Sequence, residues 1–390
     1  MAKRPTKMTE PAHSLMYTPG SLAAGKAFAD TNQLYAKVTP YLKDAFNEKQ
    51  ESLFHDAFGN RISLLWGPPG TGKTTVLAGT ILGWIEHYAE AGTPLRVGIG
   101  SSNYNAIDNV LNEVLELINR RTTSVGALAC PVRVTRVRSD SSAPPLSDQI
   151  EDMPRTSARA QGFVNALKGD DTGIIIVGGT WQQLGRLAEK DHQDSEPTAE
   201  WFDLLVIDEA SQVQVAAAAA YFLLLKSDGH VVLAGDDRQL GPIYGFQMKD
   251  SVQGLFDCIF SYMKETHGIT PVQLKHNYRT NVEISAWPCK RFYKNEYEAF
   301  FPERKLDLAI NIDGRPADWP EQLPWSDEFL RILDPACPVV VISYSANTYT
   351  LSNPFEAQIV SALTLLYKKL VDAQQSGVSA QEFWTQKIGI

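Results

Sequence analysis

An apolar run over residues 62–66 leads straight into Gly67-Pro68-Pro69-Gly70-Thr71-Gly72-Lys73-Thr74, and a helical pattern over residues 74–90 opens at once behind it. That junction constrains the fold more than any other stretch of the chain. The segment satisfies G-x-x-x-x-G-K-[ST] in the order strand, glycine loop, helix. Glycines let backbone N–H groups curl around a phosphate, and the helix N-terminus behind them adds a positive dipole. Lys73 then reaches for β- and γ-phosphates, and the Thr74 hydroxyl is a ligand for Mg²⁺. Gly67, Pro68, Pro69, Gly70, Thr71 and Gly72, with Lys73, Thr74 and Thr75 at the helix start, form the candidate phosphate site. Such a junction belongs in a parallel sheet with helices on its faces, where a strand can feed a loop into a helix N-terminus at an open edge.

The remaining pattern supplies that sheet. Apolar runs at residues 96–100, 132–137, 174–177, 204–207 and 231–234 alternate with helical patterns. One of these, over 105–121, carries Ile107, Val110, Leu111, Val114 and Ile118 at helical spacing. The expected fold is α/β, with an N-terminal extension over residues 1–45 and a first parallel-sheet domain over 46–270. A second, partial α/β domain is expected over 271–390. In it a strand is expected at 339–342 and a helix over 354–375, opened by Asn353 as N-cap, Pro354 and Glu356. Residues 140–171, rich in Ser, Pro and charge, and residues 189–200 read as surface insertions. Lys387-Ile388-Gly389-Ile390 reads as the opening of a further buried strand, which predicts that the second domain is incomplete.

Composition excludes several classes. The longest apolar run, from Val215 to Leu225, is too short for a bilayer, which needs ~20 residues. No apolar segment follows the basic N-terminus, so no signal peptide is read, and no membrane partner is expected. Cys130, Cys258, Cys289 and Cys337 lie far apart, against a zinc ribbon or a disulfide framework and in keeping with a reduced cytoplasmic compartment. Lys and Arg total 36 against 45 Asp and Glu, a net charge of −9. Any nucleic-acid contact must therefore be a local groove, because the global field repels phosphate.

A second chemical segment is Leu204-Leu205-Val206-Ile207-Asp208-Glu209-Ala210-Ser211. Its apolar strand delivers two adjacent carboxylates to a C-terminal end, where open α/β sheets bind ligands. Asp208 suits Mg²⁺, and Glu209 suits orienting and deprotonating an attacking water. Standing alone, an Asp-Glu pair is often a solvated turn. Downstream of the phosphate loop it favours a hydrolase over a small-molecule kinase. A third strand end, Gly235-Asp236-Asp237-Arg238-Gln239-Leu240, offers Gln239 either as a γ-phosphate sensor or as part of an ordinary polar turn.

The order of these segments resembles a superfamily 1 helicase, of the branch of the nonsense-mediated-decay helicase and its bacterial relatives. The resemblance rests on GPPGTGKT, on Asp208-Glu209-Ala210-Ser211, on Gly-Asp-x-x-Gln-Leu at 235–240, on Leu274-Lys275-His276-Asn277-Tyr278-Arg279, and on residues 345–356. It implies two RecA-like lobes, ATP and Mg²⁺ as cofactors, and movement 5′ to 3′ on single-stranded DNA or RNA. At the matching positions it implies that Gln50 reads the adenine edge, that Tyr278 stacks on adenine, and that Arg279 acts as an arginine finger. The segment from Ser101 to Asn109 resembles the family's first strand-binding motif, with Ser102, Asn103 and Asp108 as candidate contacts. Thr180, in Gly178-Gly179-Thr180, is either a second contact or the N-cap of the next helix. Arg133, Arg136 and Arg138 form either a groove or a solvated strand edge. Gly241 departs from the family, which usually has proline there. The rival function class is a nucleotide-binding switch or scaffold without unwinding activity, whose ATPase would not respond to single strands.

Overall fold

The computed structural model describes residues 10–22, 25–28, 30–139, 146–154, 158–169, 173–189, 199–242, 257–304, 308–345, 352–375 and 377–388. Two compact units divide the chain, one up to Asn277 and one from Tyr278 onward.

The first unit is built on one eight-stranded parallel sheet, the α/β class that the sequence predicts. Its strands are β1 (Ile62–Trp66), β2 (Leu95–Gly100), β3 (Val132–Arg138), β4 (Glu151–Pro154), β5 (Ile174–Gly178), β6 (Phe202–Ile207), β7 (Leu225–Gly235) and β8 (Val272–Gln273). Their order across the sheet is β4-β3-β5-β2-β6-β7-β1-β8. β1, β2, β5 and β6 are buried along their whole length, as strands covered on both faces must be. One face carries the helices Glu48–Gly59, Lys73–Ala91 and Tyr104–Val125. Leu53, Leu77, Ile81, Val110 and Val114 from these helices share a core with Val97, Ile99, Val206 and Val232 of the sheet. The N-terminal segment belongs to the same core, through Leu34, Val38, Leu42 and Phe46.

The segment read as an insertion over 140–171 is corrected in part. Within it β4 pairs with β3 in parallel, and the helix Arg159–Lys168 buries Ala160, Phe163, Val164 and Leu167. Polar composition misled there because β4 is an edge strand held by charge: Glu151 pairs with Arg133 at 2.5 Å, and Asp152 with Arg136 at 2.7 Å. Arg138 lies 3.6 Å from Asp152 as well. The three arginines are thus neither an open groove nor a solvated edge. Most of the expected insertion at 189–200 lies outside the described residues.

The second unit contains the helices Val282–Phe292, Glu328–Ile332 and Pro354–Gln374. A small core joins Trp319, Phe329, Ala362, Leu366 and Leu370. Asn353 caps the last of these helices, accepting from the Glu356 N–H at 3.1 Å. The strand expected at 339–342 is corrected. No strand pairs with this segment among the described residues, and Val341 is 86% exposed. An apolar run becomes a strand only where a neighbour takes up its backbone hydrogen bonds. Residues 346–351 and 389–390 lie outside the described set, and with them parts of two segments singled out in the sequence.

Candidate nucleotide site

Three neighbouring strands end at one edge of the first unit. In the order β6-β7-β1 they deliver Asp208-Glu209, the Gly235–Leu240 turn and the phosphate loop to adjacent positions. The loop turns on left-handed backbone at Gly70 (φ 81°) and Gly72 (φ 84°), which a side chain would strain. A Cβ on Gly67 would lie 2.6 Å from Thr71 Oγ1. That hydroxyl donates to the Pro68 carbonyl at 2.8 Å, which closes the loop. Lys73, the first residue of its helix, is buried; its Nζ donates to the Gly67 carbonyl at 2.8 Å. Thr74 and Thr75 follow, both half-buried at the helix start, while Pro69 is exposed.

Across the edge, Lys73 Nζ lies 4.0 Å from Glu209 Oε1. At that separation the attraction is of order 1 kcal/mol in water and ~4 kcal/mol near a protein surface. Asp208 is buried, and its pKa is pushed up to about 6, chiefly by burial and then by the Glu209 carboxylate. Lys73 and the Glu209 N–H, which donates to Asp208 Oδ1 at 2.9 Å, pull it the other way. Glu209 itself holds φ 49°, an uncommon conformation for a residue with a side chain. Its Oε2 is buried with no hydrogen-bond partner among the described residues. A cradle closed to Cβ atoms, a buried lysine, a buried carboxyl and an unpartnered carboxylate oxygen fit a triphosphate with its divalent cation.

Gln239 is tied to its own turn, donating from Nε2 to Asp236 Oδ2 at 2.9 Å. Gln50 is the third residue of a capping box: Oε1 accepts from the Asn47 N–H at 3.0 Å. Its Nε2 donates to the Thr71 carbonyl at 3.4 Å, so the amide braces the phosphate loop. Tyr278 and Arg279 belong to the second unit. There the Tyr278 ring lies 4.5 Å from that of Phe300, and Arg279 is exposed.

A family model described as an AAA domain matches residues 50–246, half of the chain and all of the phosphate loop, Asp208-Glu209 and Gln239. The chain belongs to this family. A regulator of nonsense transcripts 1 homolog of Neurospora crassa is 29% identical over 268 residues, covering 65% of this chain and 23% of that protein. The DNA-binding protein SMUBP-2 of Mus musculus is 24% identical over 345 residues, covering 80% and 32%. The ATP-dependent helicase NAM7 of Saccharomyces cerevisiae is 25% identical over 298 residues, covering 72% and 27%. The chain thus spans a quarter to a third of the length of these relatives. The likenesses bear out its placement among superfamily 1 helicases of the nonsense-mediated-decay branch.

Beside the nucleotide site of this AAA domain, β2 and β5 end in the segments singled out for strand contact. Asn103 caps the helix Tyr104–Val125, accepting from the Ala106 N–H at 3.0 Å. Ser102 is exposed and donates to Gln212 Oε1 at 3.2 Å. Asp108 is engaged by Arg136 at 2.8 Å. Thr180 is buried at the N-cap position of the helix Trp181–Ala188, yet its side chain makes no capping bond. One residue that the sequence reading missed organises both loops. The fully buried Tyr221 hydroxyl donates toward the Ser101 and Gly179 carbonyls, each at 3.0 Å, and accepts from the Ser101 N–H at 3.0 Å. Its one sequence signal is Gly100, where a Cβ would lie 2.6 Å from the Tyr221 ring.

Proposed function

We propose that the chain binds and hydrolyses ATP at the Gly67–Thr75 loop and couples turnover to movement along single-stranded DNA or RNA. The observation that carries this reading is the convergence of Lys73, Asp208 and Glu209 at one sheet edge, with Lys73 Nζ 4.0 Å from Glu209 Oε1. Lys73 binds the β- and γ-phosphates of the substrate, and the loop N–H groups hold the phosphate chain. Asp208 and Thr74 would hold Mg²⁺, which when bound neutralises phosphate charge. Glu209 orients the attacking water and accepts its proton, a role its unpartnered Oε2 suits. Gln239, released from Asp236, contacts the γ-phosphate. The family resemblance gives Arg279 to the γ-phosphate and Gln50 and Tyr278 to the base, with Gln50 here held by the Asn47 N–H and the Thr71 carbonyl.

The test contrasts two variants. Lys73→Ala should lose nucleotide affinity, because it removes the charge set against the phosphates. Glu209→Gln should keep nucleotide affinity and lose turnover by ~10²–10⁴-fold. If both lose affinity equally, the division of roles is wrong. Phosphate release by the parent should rise with added single strands; an unchanged rate would favour a nucleotide-driven switch instead.

A further inference from the structure

The ends of β2 and β5 frame a groove of about 500 Å³ lined by Ser102, Asn103, Tyr104, Thr180, Gln183 and Arg186. Two side chains on it are more than nine-tenths buried: Gln183, whose Oε1 has no hydrogen-bond partner among the described residues, and Thr180, which leaves its own helix uncapped. Beside them Trp181 opens the helix Trp181–Ala188 and is 40% exposed. Its ring packs on no other aromatic ring among the described residues. One turn on, the residue that would lean over the indole is Gly185, and a Cβ there would meet nothing within 4 Å. Arg186, about 140° round the helix from Trp181, is exposed, lines the groove and forms no ion pair among the described residues.

Resting on the proposed function, we infer that Trp181 is a stacking platform for one base of the bound single strand. Arg186 and the groove take the adjoining phosphate and sugar. The chemistry selects this occupant. An exposed indole offers a face that any base can cover, and a stacked base adds binding without sequence preference. A groove of hydroxyl and amide groups with a single cation suits sugar and phosphate oxygens in a chain whose net charge is −9. The buried Gln183 Oε1, unpartnered among the described residues, and the Thr180 hydroxyl, which does not cap its helix, offer a ligand an acceptor and a donor.

The experiment compares Trp181→Ala, Trp181→Phe and Arg186→Ala with the parent by fluorescence anisotropy. The probes are labelled oligo(dT), oligo(U) and an abasic strand of equal length. Trp181→Ala should weaken binding to the base-bearing strands by about 5- to 150-fold and leave the abasic strand unchanged. Trp181→Phe keeps a ring face and should stay within a few fold of the parent. Arg186→Ala should weaken all three probes alike and reduce the salt slope by about 0.7. The inference is overturned if Trp181→Ala stays within twofold of the parent on both base-bearing strands, or if it weakens the abasic strand equally. A parent that binds no single strand at all overturns the proposed function and this inference together.

Discussion

Glu209 sits at φ 49°, and that angle sets up a test in which stability and activity should move in opposite directions. A residue with a Cβ in the left-handed region costs ~1–2 kcal/mol, whereas glycine enters it freely. At an ordinary position Gly is the less stable of Gly and Ala by ~0.5–1 kcal/mol, through the entropy of the unfolded chain. Here the order should invert. Glu209→Ala and Glu209→Gly both remove the carboxylate that lies 4.0 Å from Lys73 and raises the Asp208 pKa, so the electrostatic change is common to the pair. What differs between them is the backbone, and Glu209→Gly should be more stable than Glu209→Ala by about 1 kcal/mol. Urea unfolding without nucleotide reads that difference as a shift in midpoint at constant slope. Phosphate release should fall by ~10²–10⁴-fold in both, since each has lost the group proposed to orient the water. A Glu209→Gly protein less stable than Glu209→Ala would refute the argument that the site stores backbone strain to aim this carboxylate. Such strain is what a site retains when orientation matters more than stability.

Three further outcomes follow from other parts of the first unit. His230 is 1% exposed, and burial holds its pKa down at about 4 against an ordinary 6.5, so the unfolded chain takes up the proton first as pH falls. Stability should therefore be lost between about pH 6.5 and 4, by about 3 kcal/mol in total, and His230→Leu should flatten that loss in urea midpoints measured across the window. Tyr221→Phe leaves the buried Ser101 N–H without its partner and should cost ~1–3 kcal/mol in the same assay; a loss under ~0.5 kcal/mol would show that the hydroxyl does not hold the two loops. Arg96, 1% exposed, donates to the carbonyls of Ala166 and Gly169 at 3.0 Å, around the end of the helix Arg159–Lys168. Arg96→Met should raise hydrogen exchange in that helix before it changes exchange in β1.

Most strands were legible because they are buried on both faces, and burial writes a continuous apolar run. β1, β2, β5 and β6 announce themselves in this way. β4 does not: Glu151-Asp152-Met153-Pro154 carries one buried side chain and is held to β3 through its charges. The run at 339–342 is as apolar as β1 but has no pairing among the described residues, and composition carries no information about a neighbour. In the nucleotide site, the phosphate loop and Asp208-Glu209 were legible because their chemistry requires particular residue types at fixed spacing. The sequence did not reveal what those groups do with one another. The Lys73–Glu209 approach depends on the lateral order β6-β7-β1, which no local pattern encodes. Tyr221 was illegible for a related reason: at the end of an alanine-rich helix it reads as core, and only its hydroxyl contacts make it a brace.

Charge ties these observations together. A chain at −9 could meet a polyanion with one large basic face, but the arginines that might have built such a face are already engaged. Arg133 and Arg136 bind the carboxylates of β4, Arg136 also holds Asp108, and the Arg96 guanidinium is turned to backbone carbonyls. The candidate strand-contact edge is accordingly almost neutral, made of Ser102, Asn103, Thr180 and Gln183 between two helix N-termini, with Arg186 and Trp181 beside it. Neutral donors grip weakly through long-range attraction, so affinity on such an edge has to come from close contact and stacking. For a proposed motor that is a favourable arrangement. A strand held by short-range contacts is released by a small displacement of the loops, whereas one held by a broad positive field is not. The brace from Tyr221 to Ser101 and Gly179 ties the two loops together, and the Asp208 N–H, bonded to the Gly100 carbonyl at 3.0 Å, places the Asp208-Glu209 pair one residue from the same brace. Under the proposed function, a shift of Asp208 and Glu209 therefore has a direct backbone path to the groove.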